Sequence, residues 1–405
     1  MVEVLRNSSY RNLFTAQVVA LLGTGLLTVA LGLLAFDLAG VDAGIVLGTA
    51  LTIKMLSYVF LGPVITALTS RVPRKTLLIS ADAVRAGVAL LLPFVTEVWQ
   101  IYVLILLLQA ASATFTPAFQ AVIPEVLPDE RQYTRALSLS RLAYDLESLA
   151  SPAVAAALLT VMSYNNLFLG TMAGFALSAL LVAVTRFPRI AHEEGASFLE
   201  RLTRGARVFW RSTELRVLLA LNMVVAAPTA MVIVNTVVVV QGDLGRGQAD
   251  VALLLACYGA GSMAVALLLP KLLDRLPEKP VMLSGGIAAV SGLALTALVM
   301  STSVVAVWPI LLAVWALMGA GNACILTAAP RLVRRNASTP ERPAAFAAQF
   351  ALSHACFIAT YPLAGFLGSA IGVGWTALLL GIVTAAATAT AALLWRRHSI
   401  VHPQA

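Results

Sequence analysis

Apolar residues in this chain neither alternate nor keep to one face of a helix. They run in long unbroken stretches, separated by short polar breaks such as PFVTEVWQ at 93–100 and SYNN at 163–166. An α-helix needs about 20 apolar residues to cross a bilayer core. The pattern predicts twelve such spans, near 13–36, 44–68, 76–95, 98–122, 136–161, 165–186, 216–240, 248–270, 280–300, 304–329, 344–370 and 373–395. Short breaks make neighbouring spans antiparallel, and the runs are far too long for barrel strands. No A-x-A-like cleavage site follows the first run, so that helix is expected to be retained.

Composition agrees with this reading. Of 405 residues, 60% are hydrophobic and 11% charged, against about a quarter charged in soluble domains. Mean hydropathy is +0.90. The net charge of +8 is spread in a way that orients the chain. Arg6 and Arg11 precede span 1; Arg71, Arg74 and Lys75 follow span 2; Arg131 and Arg135 follow span 4; Lys271, Arg275 and Lys279 follow span 8; Arg331, Arg334 and Arg335 follow span 10. The opposite loops hold Asp37, Asp42, Glu97, Asp243 and Asp250, with Arg246 as their basic residue. Such one-sidedness puts both termini in the cytoplasm. The positive charge is therefore a topology signal, and no nucleic-acid partner is expected.

The halves repeat. TSRVPRK at 69–75 recurs as LDRLPEK at 273–279; Pro124 and Pro330 are expected to end spans 4 and 10; Pro152 and Pro362 occupy spans 5 and 11. A parallel duplication of this kind implies two halves related by an axis along the membrane normal, with a site between them. The expected fold is an all-α polytopic membrane protein, with twelve transmembrane helices in two pseudo-symmetric six-helix bundles, 1–186 and 216–405. A cytoplasmic linker, 187–215, joins them. Within it, SFLERLTRGARVFWRS suits an amphipathic helix on the inner membrane surface.

These features resemble the major facilitator superfamily over essentially the whole chain. That family's loop signature, G-x-x-x-D-R-x-G-R-R/K, is kept here at Arg71, Arg74 and Lys75, with Thr66, Ser70 and Pro73 in place of the glycines and aspartate. Asp274, Arg275 and Lys279 fit it better in the second half. The stretch FTPAFQAVIPEVLPDERQYTRALSLSRLAYDLESLASPAVAAALL is similar to the bacterial efflux branch that includes macrolide and siderophore exporters. The helix 4 arginine common in drug antiporters is missing: leucines precede Gln109.

Charges inside the membrane are costly and mark function. Lys54 sits near the middle of span 2, and Arg141, Asp145 and Glu147 lie in the inner half of span 5. Counting about 1.5 Å of rise per residue brings Lys54 and Glu147 to similar depth. Lys54 with Asp145 or Glu147 is read either as a proton-coupling pair or as a static one. Asp82 and Arg85 in span 3, with Arg71, Lys75, Asp274 and Arg275, are assigned to the inner gate. The resemblance implies a cavity lined by helices 1, 4, 7 and 10. Their polar residues include Gln17, Thr28, Gln109, Ser112, Asn222, Asn235 and Asn322, a wall poor in aromatics that favours an amphiphilic organic solute.

One stretch, QFALSHACFIATYPLAG at 349–365, invites a metal reading. His354 and Cys356 are about 200° apart around a helix, so they cannot chelate one ion from one face. Gln349, Ser353, Cys356 and Thr360 share a face as a neutral polar stripe. A metal site would need ligands from several helices, such as His354 or Cys356 with Cys324. Helix 11 of nickel-resistance exporters in the same superfamily reads similarly, which keeps a divalent-metal exporter as the alternative. A non-transporting receptor or scaffold is the second alternative. Neither an enzyme nor a cofactor is expected, since there is no cluster with acid–base spacing and no G-x-x-x-x-G-K-[ST] loop for ATP. The expected function is secondary active export of small molecules, coupled to protons, by a monomer in the bacterial inner membrane. Its partners are a small-molecule substrate, protons and the lipid bilayer.

Overall fold

Long apolar segments deprived of water must satisfy every backbone group internally, and a helix does so within one segment. The computed structural model describes residues 2–61, 72–127, 129–187, 207–273, 276–302, 306–338 and 342–401, and among them there is no strand. The α-helices are α1 (Ser8–Ala39), α2 (Ala43–Leu56), α3 (Arg74–Leu91), α4 (Val98–Val126), α5 (Glu130–Leu158) and α6 (Asn165–Val184). In the second half they are α7 (Thr213–Val237), α8 (Gln248–Leu272), α9 (Glu278–Ser301), α10 (Val307–Asn336), α11 (Arg342–Ile371) and α12 (Val373–Val401). A π-turn, Ser57–Leu61, prolongs α2, and another, Val238–Asp243, prolongs α7.

The expected count of twelve spans is not confirmed by apolar length alone. Among the described residues, ten stretches are long and apolar enough to cross a membrane. Two local reasons account for the difference. The first stretch, Ser8–Leu61, takes in both α1 and α2, because the turn between them, Gly40–Asp42, is short and itself a 3-10 helix. In α5 the charges gather in the first two thirds, and only its end, Ala150–Leu159, is an apolar run.

Polar side chains start the helices where the sequence supplies them. Asn7 accepts from Ser9 N and Tyr10 N, Asp129 accepts from Gln132 N, and Glu97 with Gln100 forms a capping box ahead of α4. The repeated prolines, Pro73 and Pro277, stand immediately before α3 and α9. Pro330 behaves otherwise than expected: α10 runs through it to Asn336. The two turns beyond it are held by side chains. Arg331 donates to Leu273 O at 2.7 Å, and Arg335 bridges Glu214 (2.7 Å) and Glu278 (3.2 Å) in the first turns of α7 and α9. Both placements suit the helix dipoles.

The chain divides into two compact units, Met1–Glu194 with Arg246–Ala256, and Gly195–Gly245 with Cys257–Ala405. In the first unit α1 packs on α6, α5 and α2, around a core that includes Tyr10, Leu13, Leu78, Phe115 and Phe119. Thr171 donates to Gly23 O across the α1–α6 contact at 2.9 Å. In the second unit α7 packs on α12, α11 and α10, and its core includes Leu218, Leu221, Met282, Ile325 and Trp395. Val208 and Phe209, from the end of the amphipathic segment expected at 197–212, are buried in this core, while residues 197–206 of it lie outside the described residues.

Candidate functional site

Each unit buries its own polar cluster. In the first, Lys54 projects from α2 and Glu147 from α5; both are half-buried and stand within electrostatic range of each other. Glu147 is seated by α1. Gly25 leaves a notch there, into which Ser151 fits so closely that a Cβ at Gly25 would lie 2.1 Å from its Oγ and 3.3 Å from Glu147 Oε1. The Ser151 hydroxyl is buried and has no hydrogen-bond partner among the described residues. One turn beyond Lys54, in the π-turn, Tyr58 lies within electrostatic range of both Glu147 and Arg85. π-turns inside helices recur at functional sites. Tyr58 and Ser151 escape the sequence reading, although each sits four residues from a charged partner, Lys54 and Glu147, on one helix face.

Asp82 and Arg85 are of a different kind. Both are buried on α3 and form an ion pair with each other. Ser178 on α6 donates to Asp82 Oδ2 at 2.7 Å, and the guanidinium lies over the rings of Phe115 (4.2 Å) and Phe175 (4.5 Å). Its surroundings are those of a core. Lys75, also assigned to the gate, donates to Thr185 O at 3.0 Å and lies 5.9 Å over the Phe187 ring, joining the start of α3 to the end of α6. Arg71, Asp274 and Arg275 lie outside the described residues, as do the side chains of Arg141 and Asp145.

Most of the expected cavity amides bind other helices. Gln17 Oε1 accepts from Ser140 Oγ at 2.9 Å. Asn222 and Gln349 form a reciprocal amide pair, Gln349 Nε2 donating at 2.7 Å and Asn222 Nδ2 at 3.2 Å. Asn235 donates to Ala364 O at 3.2 Å, and Thr28 donates to Thr24 O. Gln109 and Ser112 are buried in α4.

The second unit's polar centre joins three helices. Asn322 on α10 donates to Thr229 Oγ1 on α7 (2.7 Å) and to Tyr258 Oη on α8 (2.5 Å). Trp315 Nε1 donates to Thr236 Oγ1 at 2.9 Å, two turns along α10. Aromatics stand on α8 and α11 as well. Phe350, His354, Phe357 and Tyr361 follow one another along α11, tilted, edge-on and stacked in turn, with centroids 4.0, 6.4 and 5.0 Å apart. Their spacing of four, three and four residues is legible as one helix face. His354 Nδ1 lies 2.7 Å from Phe350 O, and Cys356 Sγ donates to Leu352 O at 3.5 Å. Cys324 is half-buried on α10, and among the described residues no three His, Cys, Asp or Glu side chains form a metal-holding group.

Bundled apolar helices with polar clusters held inside each half are the build of a polytopic helical membrane protein. The Major Facilitator Superfamily model matches residues 13–236 and 218–404, and the chain belongs to that family. Macrolide efflux protein A of Streptococcus pyogenes is 27% identical over 218 residues, covering 52% of this chain and 53% of that protein. An uncharacterized MFS-type transporter, YfiS of Bacillus subtilis, is 30% identical over 127 residues, 31% of this chain and 30% of that one. The chain thus aligns with about half the length, or less, of these curated relatives. Among solved structures, a bacterial homolog of the human lysosomal transporter Spinster superposes with a TM-score of 0.73 at 13% identity, covering 96% of each chain. The nucleoside transporter NupG gives 0.68 at 12%, covering 96% of this chain and 99% of that one. At such identities the likeness is one of fold.

Proposed function

We propose that the chain exports small amphiphilic organic molecules across the bacterial inner membrane by alternating access, in exchange for protons. In this reading it has twelve spans, cytoplasmic termini and acts as a monomer. The likeness to macrolide efflux protein A supports export of organic solutes. A single observation carries the coupling: half-buried Glu147 and Lys54 stand in electrostatic range of each other among membrane helices. An ammonium and a carboxylate in a low-dielectric interior stabilise each other, and either alone is costly. Protonating Glu147 therefore leaves Lys54 in need of water, which favours a different arrangement of α2 and α5. A proton taken from one side is in this way tied to a change of state.

The test uses everted membrane vesicles from an expressing strain. An interior-acid gradient is expected to drive accumulation of a macrolide, and a proton uncoupler to collapse it. Accumulation indifferent to the uncoupler would remove proton exchange from the account.

A further inference from the structure

The hydrogens around Asn322 can be assigned from their neighbours. Thr229 Oγ1 donates its one hydrogen to Val225 O, at 2.8 Å. Towards every other neighbour it must therefore accept. Tyr258 Oη, at 3.1 Å, then gives its hydrogen to Thr229, and its oxygen is left to accept as well. Both hydroxyls thus require a donor from α10, and the Asn322 amide supplies its two hydrogens, one to each. The reverse amide orientation would set a carbonyl oxygen against two oxygens with a single hydrogen among them. So the network fixes which end of Asn322 faces away.

That end is the carbonyl. Asn322 is 2% exposed, and its Oδ1 is buried with no partner among the described residues. Buried acceptors are nearly always satisfied, so one held open needs an explanation. The site is also closely packed. Just beyond it α8 and α10 touch backbone to backbone: a Cβ at Gly261 would lie 1.9 Å from Ala316 O, and one at Gly319 would lie 1.9 Å from Tyr258 O. The two helices thus meet there with no side chain between them. Of the neighbouring aromatics, Tyr258 is half-exposed, and Tyr361, at the buried end of the α11 ladder, is within electrostatic range of Tyr258.

We infer that Asn322 Oδ1 is a specificity-determining acceptor, which reads a hydroxyl or amine N–H on the transported solute. Thr229 and Tyr258 are positioning residues that hold the amide in that sense. The inference rests on reading the chain as a transporter of organic solutes. It adds that discrimination among them comes from a neutral acceptor in the second half, apart from the charged pair in the first.

Two matched pairs of probes test it on the purified full-length protein: an arylalkyl alcohol against its methyl ether, and an arylalkyl primary ammonium against its trimethylammonium counterpart. Binding is measured at equilibrium with no gradient, so failure here is distinguishable from failure of proton coupling. Wild type is expected to prefer the donor-bearing member of at least one pair by about tenfold, the scale of one hydrogen bond. The pair that discriminates tells hydroxyl from amine. Asn322→Leu should bring that ratio to about one, with the donor-less member bound within about twofold of wild type. Tyr258→Phe keeps Oδ1 but frees the amide to turn, and should lower the ratio part of the way. Where Asn322→Leu does not fold, Tyr258→Phe decides alone. Equal binding or no binding of every probe by wild type, or a wild-type ratio in the folded variants, overturns the inference.

Discussion

Asp82 with Arg85 and Lys54 with Glu147 are pairs of like composition in unlike settings. The first is fully dressed: its carboxylate is also bonded by Ser178, and its guanidinium is covered by Phe115 and Phe175. Removing one partner of such a pair strands a buried charge, at a cost of about 3–5 kcal/mol. Arg85→Met is therefore expected to lower the melting temperature in detergent markedly. Asp82→Asn added to it should recover part of the loss, and transport per folded molecule should persist. A variant that melts like wild type yet does not transport would return the pair to the gate. In the sequence these two residues look like any other intramembrane charges. What separates them is contact with Ser178 and Phe175, nearly a hundred residues along the chain, and no spacing rule reaches that far. The depth count that sets Lys54 beside Glu147 needs only the rise of a helix, and so is available from the sequence.

Helices themselves follow from the apolar runs, since membrane-embedded backbone leaves few alternatives. Their ends and crossings are less accessible. Pro330 reads as a terminator, yet α10 continues because Arg331 and Arg335 find partners on α7, α8 and α9, which the local sequence does not disclose. Glycines show the same limit. Gly87 on α3 would meet nothing within 4 Å if it carried a Cβ, whereas Gly319 on α10 would meet Tyr258 O at 1.9 Å. Gly87→Ala should leave stability unchanged or raise it by up to about 1 kcal/mol, through helix propensity. Gly319→Ala should cost about 1–3 kcal/mol by overpacking, measured as a thermal shift in the same detergent. Equal shifts for the two would mean that the α8–α10 contact is looser than described.

For the molecule as a whole, the proposed topology, drawn from the charge asymmetry across the spans, has the linker and both termini on one side. A cysteine at Ser197 is expected to be labelled from the cytoplasm and one at Asp243 from outside; labelling of both from the same side contradicts the twelve-span topology. The chain belongs to the Major Facilitator Superfamily, and in the proposed function proton exchange hangs on the Lys54–Glu147 pair. The most direct measurement compares two activities of Glu147→Gln in proteoliposomes: accumulation driven by an imposed pH gradient, and solute-for-solute exchange without one. A neutral side chain at this position removes the titrating group and keeps the shape. The account predicts that gradient-driven accumulation is lost while exchange persists, with Lys54→Met behaving alike. Accumulation at the wild-type level by well-folded Glu147→Gln would contradict it.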